Sequence, residues 1–471
     1  MWSSFKRAKV LDRGGFSPYD AVHDPCPRLS LRARRDTGPA RFPVRHLRRL
    51  LVDVAPLRES AAFRRLWVGG GLSAVGGQMT NYAVMLQVFL LTRSSLSVGL
   101  VGLAIALPSI GASLAGGAIL DTVDRRTTAL VGTSLQVLVS ASFAAQAFAN
   151  LRDVPLLYLL VAVQSAVGGV NAPARRTFMP RLLRREQLAA GAALQALVGY
   201  TSMLTGPALA GVVTATVGLR NCYAIDAASF LFSLYAIARL PAMPPEGGHR
   251  PGGVRAVADG LRFVARTRAV LGAFLADSSA TFLGMPIALF PAINAERFGG
   301  SPETLGLLST AVAVGGLLGS SLSGPVGRIS RQGLGMLVAG GTWGLALAAF
   351  GLSDTFAVAL VFLAIAGAAD VSAVVLRTAV VQGVTPDAVR GRVSATEHAV
   401  GAGVPQLGNF RAGILGSLTS PTIGVVTGGL SVVAGALAIG WGIPAFVGFR
   451  RPGSEEGALL VPVPGEVEGK A

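Results

Sequence analysis

Four carboxylates stand inside apolar runs, where a charge is costly. Asp226 lies in Tyr223-Ala-Ile-Asp226-Ala-Ala-Ser-Phe230, Asp277 about a third of the way into a run over 270–294, and Asp370 deep within 355–376; Glu397, beside His398, opens a further run at 394. Ionisable groups in such surroundings are functional by default. A carboxylate there can take up and release a proton, so these four are the candidates for proton coupling, with Asp370 preferred. Asp226 serves as well as a helix-start residue, Glu397 as a partner for loop arginines. His398 titrates in the useful range, yet a lone His beside a Glu is more often structural. Gln78, Asn81, Gln87 and Gln164 are the uncharged polar residues placed to reach a cavity otherwise walled by small and apolar groups.

The same sequence withholds other chemistries. It has no G-x-x-x-x-G-K-[ST] loop to cradle phosphates. Its His, Cys and Asp residues show no metal-ligand spacing, and Cys26 and Cys222 are too far apart in sequence to read as a redox motif. No nucleophile stands next to a base. Neither an enzyme, a metal centre nor a cofactor is expected.

The elements that must position these residues follow from composition. Of 471 residues, 51% are hydrophobic and 14% charged, where a soluble domain carries about 25% charged. Mean hydropathy is +0.57. A net charge of +17 invites a nucleic-acid reading, but the charges are separated by runs long enough to cross a bilayer, about 20 residues each. Twelve spans are read, near 66–92, 98–120, 127–150, 154–174, 188–219, 221–238, 270–294, 304–326, 333–353, 355–376, 394–418 and 423–449. In lipid they must be helices, because an open strand edge cannot satisfy its backbone there. Lys and Arg collect on alternate connections: 36 of the 41 fall in the two terminal segments and the loops after even-numbered spans. The positive-inside bias therefore puts both termini in the cytoplasm, with the protein multi-pass in the plasma (inner) membrane.

Residues 1–47 are basic and Pro-rich without an apolar core, so they read as a cytoplasmic tail rather than a signal peptide. Residues 48–240 form an N-terminal six-helix bundle. Residues 241–268 form a central cytoplasmic loop, in which the Pro- and Gly-rich stretch 241–253 precedes a basic amphipathic helix from Val254. Residues 269–450 form a second six-helix bundle and 451–471 a cytoplasmic tail. A weak internal repeat supports the division, since Arg176-Thr177 after span 4 recurs as Arg377-Thr378 after span 10. Two related bundles around a midplane cavity are a transporter architecture.

Between spans 2 and 3 lies Gly117-Ala-Ile-Leu-Asp121-Thr-Val-Asp124-Arg125-Arg126. It resembles the G-x-x-x-D-x-x-x-R signature of the major facilitator superfamily. Gly117 lets helices approach, Asp121 favours the positive end of span 3, and Arg125 and Arg126 can pair with acids across the seam between bundles. The corresponding stretch Gly324-Pro-Val-Gly-Arg328-Ile-Ser-Arg331 lacks the Asp. Thr385-Pro386-Asp387-Ala-Val-Arg390-Gly391-Arg392 resembles the loop between spans 10 and 11 of the drug and siderophore exporter branch. Gly284-Met285-Pro286, Pro405-Gln406-Leu407-Gly408, Arg411-Ala412-Gly413 and Leu418-Thr419-Ser420-Pro421 are similar to the enterobactin exporter subgroup. In span 5, Gly206-Pro207-Ala-Leu-Ala-Gly211 resembles the G-P-x-x-G-G stretch of superfamily antiporters, which implies a hinge at Gly206, Pro207 and Gly211.

The resemblance implies a twelve-helix secondary transporter that exports a small amphipathic solute by proton antiport and alternating access. A siderophore of the enterobactin kind leads, and efflux of hydrophobic drugs is the alternative; a non-transporting receptor or scaffold would need a signalling domain that the short tails lack. The partners implied are the small-molecule substrate, the lipid bilayer and protons, with no nucleic acid and with a single chain sufficient.

Overall fold

The computed structural model describes residues 53–120, 123–243 and 254–450. The tails assigned to 1–47 and 451–471, and Asp121 with it, lie outside the described residues, as does 244–253 of the central loop. Long helices carry the chain: α1 (Ala61–Thr92), α2 (Ser95–Leu120), α3 (Arg125–Phe148), α4 (Val154–Arg176), α5 (Leu188–Val217), α6 (Arg220–Ala238), the amphipathic α7 (Val254–Arg266), α8 (Arg268–Gly284), α9 (Phe290–Arg297), α10 (Pro302–Ser321), α11 (Gln332–Leu352), α12 (Phe356–Val384), α13 (Asp387–Leu418) and α14 (Pro421–Gly442). Short polar residues start many of them. Ser60, Asp153, Ser301 and Ser420 each accept a hydrogen bond from a backbone N–H of the first turn, satisfying one of the amides a helix start leaves orphaned.

By length and hydropathy, ten segments qualify as membrane spans. The two long helices that fall short are α1 and α13, both 32 residues. Their polarity is the reason: α1 holds Gln78, Asn81 and Gln87, and α13 holds Arg390, Arg392, Glu397, His398 and Arg411.

Three boundaries differ from the sequence expectation. The seventh span is broken: α8 stops at Gly284 and α9 begins at Phe290, separated by a short 3-10 turn at Ile287–Leu289. Pro286 cannot donate to the helix ladder and pushes Met285 out of helical geometry; Met285 has ψ 114°. The tenth span runs on to Val384 and the eleventh begins at Asp387. Only Thr385 and Pro386 connect them, so Arg377, Arg390 and Arg392 belong to helices rather than to a loop. The last span ends at Gly442, because Pro444 follows.

Helices α1–α6 pack mainly among themselves, as do α8–α14, and the halves meet along two seams, α2 against α13 and α5 against α10. Glycine makes both seams possible. A Cβ on Gly99 would stand 3.1 Å from Cα of Gly413, and one on Gly306 would stand 2.7 Å from the carbonyl oxygen of Pro207 and 3.2 Å from Cα of Gly211. Such close approach favours van der Waals packing where no hydrophobic drive exists between lipid-immersed helices. The largest buried cluster spans both halves and includes Met79, Tyr82, Phe143, Tyr223, Phe290 and Trp343.

Candidate functional site

Between the halves lies a cavity of about 250 Å³. Helix α1 presents Gln78, Asn81 and Met85 to it, α4 Gln164 and Ser165, α5 Met203 and Pro207, and α13 Gln406 and Asn409; Met285, Ile287 and Phe290 come from the break between α8 and α9. Among the described residues, no charged side chain lines it. Its polar groups are mainly carboxamides, set in two similar pairs. Asn81 Nδ2 donates to Gln78 Oε1 at 3.4 Å, and Asn409 Nδ2 donates to Gln406 Oε1 at 3.3 Å. Each pair is a Gln-x-x-Asn spacing, which places both amides on one helix face.

Three of the four amides expected at a cavity therefore reach it. Gln87 does not. It stands nine residues after Gln78, roughly 900° around the helix and so on the opposite face. It exchanges hydrogen bonds with Gln146 at 3.1 and 3.2 Å and accepts from the Tyr223 hydroxyl at 2.7 Å, tying α1, α3 and α6 together. Gln406 and Asn409 were not among the expected site residues; the signal was the repeat of Gln-x-x-Asn on a second helix.

The broken span is held from α13. The backbone N–H of Ala288 donates to Asn409 Oδ1 at 3.3 Å, and the Arg411 guanidinium donates to the carbonyl oxygen of Leu283. Both backbone groups lost their helical partners at the break, and irregular backbone at membrane depth persists only where it is satisfied in this way.

A second cavity, of about 440 Å³, continues along the same helices toward the end where α1 begins. It is lined by Ser109 and Ser113 of α2, Gly169 and Arg176 of α4, and Ser394, His398 and Ala402 of α13. Among the described residues, two side-chain hydrogen bonds cross between the halves near opposite ends of this axis. The Tyr82 hydroxyl donates to the carbonyl oxygen of Pro302 at 2.5 Å, and Arg176 lies 3.2 Å from His398 Nδ1.

The carboxylates fall into two groups. Asp226 is fully buried in the N-terminal half, where its Oδ2 accepts from Thr80 Oγ1 and Ser140 Oγ, each at 2.8 Å. The other three gather around one arginine in the C-terminal half. Arg377 donates to Asp277 Oδ2 at 2.5 Å, its side chain 18% and that of Asp277 12% exposed. Asp370 feels the charges of Asp277 and Arg377, and so does Glu397. Asp370 and Asp277 face a void of about 20 Å³, room for about one water molecule.

Of the motif between α2 and α3, Gly117, Asp124, Arg125 and Arg126 are among the described residues. Gly117 lies in the last turns of α2. Asp124 caps α3, its Oδ1 accepting from the Thr127 N–H at 2.8 Å while Oδ2 accepts from the Met243 N–H at 2.7 Å. Burial alone would raise the Asp124 carboxyl, but these amides, with the Thr127 hydroxyl, hold it below its usual value. Arg126 donates to the carbonyl oxygen of Ala238 at 2.8 Å, within its own half, where the negative end of α6 attracts it; Arg125 forms a backbone bond to Met243 at 3.1 Å. In the hinge, Gly206 meets the Gln78 side chain of α1, while Pro207 and Gly211 meet Gly306 at the α5–α10 seam.

Residues 52–446 match the model of a family described as transmembrane secretion effector. Among curated proteins, the chain is 25% identical over 402 residues to the enterobactin exporter EntS of Citrobacter koseri, covering 85% of this chain and 96% of that one. It is 26% identical over 394 residues to the enterobactin exporter EntS of Shigella boydii, covering 83% and 92%. Among solved structures it resembles the nucleoside transporter NupG, with a TM-score of 0.65 at 11% identity over 83% of this chain and 100% of that one. A bacterial homologue of the iron transporter ferroportin, in its inward-facing state, gives a TM-score of 0.62 at 16% identity over 83% and 99%.

Proposed function

The chain belongs to the transmembrane secretion effector family of the major facilitator superfamily, and from that premise we propose that it exports a small amphipathic solute, a siderophore of the enterobactin kind, by proton antiport and alternating access. The observation that carries this reading is the cavity between the halves, uncharged and edged by two carboxamide pairs. Apolar walls with a few directed polar groups suit a bulky solute that brings its own hydrogen-bonding groups, whereas a sugar needs many convergent polar contacts.

With both termini cytoplasmic, the glycine seams close the outer end and the second cavity leads toward the cytoplasm, an arrangement ready to load solute from inside. Rocking about Gly206, Pro207 and Gly211 would exchange the closed end. Asp370 carries the proton, because it sits beside the Asp277–Arg377 pair without a hydrogen-bond partner of its own among the described residues and faces a water-sized void. The Met85, Met203, Met285 and Phe290 side chains in the wall favour a second reading, efflux of assorted hydrophobic drugs, since flexible thioethers accept varied shapes.

Deleting the gene decides between the two. Cells starved of iron should retain siderophore inside when the protein is missing. Normal secretion in the deletion strain, together with new sensitivity to several unrelated drugs, would reject the siderophore and promote multidrug efflux.

A further inference from the structure

A groove of about 580 Å³ runs over the surface of the C-terminal half between α10, α11 and α12, apart from both cavities of the transport axis. Its floor is built from small residues, among them Gly335, Ala339, Ala368 and Ser372. Its rims are large and exposed: Leu334 is 38%, Val338 60% and Ile365 42% accessible. The two hydroxyls deeper inside it are already spent, Thr342 donating to the carbonyl oxygen of Val338 and Ser372 to that of Ala368, and the third, Ser330, lies at its end beside Arg331. The groove therefore offers an occupant dry, apolar walls.

Along α11 the groove extends from Arg331 to Thr342. Eleven residues rise about 16 Å, half of the roughly 30 Å hydrocarbon core. The slot thus has the depth of one leaflet, with its open end at the membrane surface. At that end Arg328 and Arg331 are both exposed. The chain carries no Asp or Glu between Glu303 and Asp354, and among the described residues neither arginine has an acidic partner.

We propose that this groove binds one acyl chain of an anionic phospholipid whose phosphate is held by Arg328 and Arg331. An apolar slot by itself accepts any acyl chain. Arginines at its interfacial end add a preference for a negative headgroup, and a guanidinium can grip phosphate with two parallel donors. The site is independent of the transported solute.

The test uses the purified full chain in detergent, offered equal amounts of phosphatidylglycerol and phosphatidylcholine and weighed intact by native mass spectrometry. The wild type should retain phosphatidylglycerol preferentially. Arg328→Gln with Arg331→Gln should reduce that preference roughly thirtyfold, at about 1 kcal/mol per arginine. Gly335→Leu fills the slot from its floor; its Cβ would stand 3.2 Å from Leu376 Cδ1 and 3.4 Å from Ile329 Cγ2, the ends of two side chains that need shift by only a few tenths of an ångström. It should abolish retention of both lipids while the helical circular dichroism is unchanged. Equal retention of the two lipids by the wild type overturns the proposal. So does undiminished phosphatidylglycerol in the Gly335 variant, which would reduce the effect to surface charge, or a lipid-free dimer, which would give the face to a second copy.

Discussion

Arg176, in the last turn of α4, sets its guanidinium 3.2 Å from Nδ1 of His398 on α13 and so joins the two halves of the molecule. A guanidinium only donates. Nδ1 must therefore be the acceptor, which makes His398 neutral with its proton on Nε2. A protonated His398 would lose this bond and face a second cation, although Glu397 beside it would offset part of the repulsion. His398→Lys makes that situation permanent. In a cysteine-free background, Ser394→Cys, exposed in the adjoining cavity, should then react with a polar maleimide at least fivefold faster, the lower end of the usual coupling scale. Acidifying the Ser394→Cys protein with His398 intact should act in the same direction, once the rate is referred to that of an exposed control cysteine to correct for lost thiolate. An unaltered labelling rate would reduce the contact to a bystander.

Asp370 and Asp277 share one arginine but should fail differently. Asp370→Asn removes a carboxylate that has no hydrogen-bond partner among the described residues, so folding should survive and pH-driven export should disappear while substrate binding stays within about threefold, a difference under 1 kcal/mol. Asp277→Asn strips the part-buried Arg377 of its ion pair and leaves it only the more distant Asp370 and Glu397, which costs about 1.5–3 kcal/mol, the worth of a hydrogen bond to a charged group. Its main consequence should be lower abundance. Export and thermal stability measured on both variants separate the two outcomes; pH-driven export by Asp370→Asn would move proton coupling elsewhere.

The Asp124 carboxylate fastens the start of α3 to Met243. Replacing it by Ala should lower stability by about 1 kcal/mol, as lost caps do. The sign of the pH effect follows from its carboxyl being held below the usual value. Its contribution is complete above the ordinary carboxylate range and fades as the pH falls through its lowered value. Thermal unfolding should accordingly show the variant's deficit at pH 7 and a smaller one in acid. A deficit that grew in acid would contradict the hydrogen-bonded geometry.

Gly306 meets Pro207 and Gly211 at the α5–α10 seam. Gly306→Leu cannot fit without separating the helices and should shift the molecule toward the arrangement open at that end. Distances between labels at the two sides of the seam should lengthen, and export should fall more than protein abundance. Unchanged distances would mean that the seam is not a moving part.

Much of this fold was legible because lipid leaves the chain few choices. Uncharged runs of about 20 residues became helices, and Ser and Asp before them became caps. Two of the three misread boundaries lie at prolines, Pro286 and Pro444; the third, between the tenth and eleventh spans, arises because hydropathy treats charge as a stop signal. Arg377 reads as a loop residue because it is an arginine, yet Asp277 from α8 neutralises it inside the bundle, and Arg390 and Arg392 put the expected start of α13 seven residues late for the same reason. The motif between α2 and α3 shows which residues are present, but not that Arg126 turns to the end of α6 within its own half. At the site, helix phase alone would have separated Gln78 and Asn81 from Gln87. The repeated Gln-x-x-Asn spacing would have marked Asn409, but not its bond to the Ala288 amide, which belongs to a break that only the tertiary structure reveals.

Gln406 and Gln78 carry the last prediction, which concerns recognition. Each belongs to a Gln-x-x-Asn pair facing the cavity, one pair from each half. A solute gripped by both pairs would bridge the halves through neutral hydrogen bonds worth about 0.5–1.5 kcal/mol each. Gln78→Ala and Gln406→Ala should each weaken binding of a catecholate siderophore by about 2–13-fold and, as they lie too far apart in sequence to share a helix, together by about the product. Asn409 is the poorer choice, because removing it also frees the Ala288 amide and would loosen the break. A purely hydrophobic drug makes no use of these amides, so its affinity should hold in both variants. Binding titrations with one ligand of each kind decide the matter: a siderophore indifferent to both glutamines would mean that the carboxamides do not read the solute.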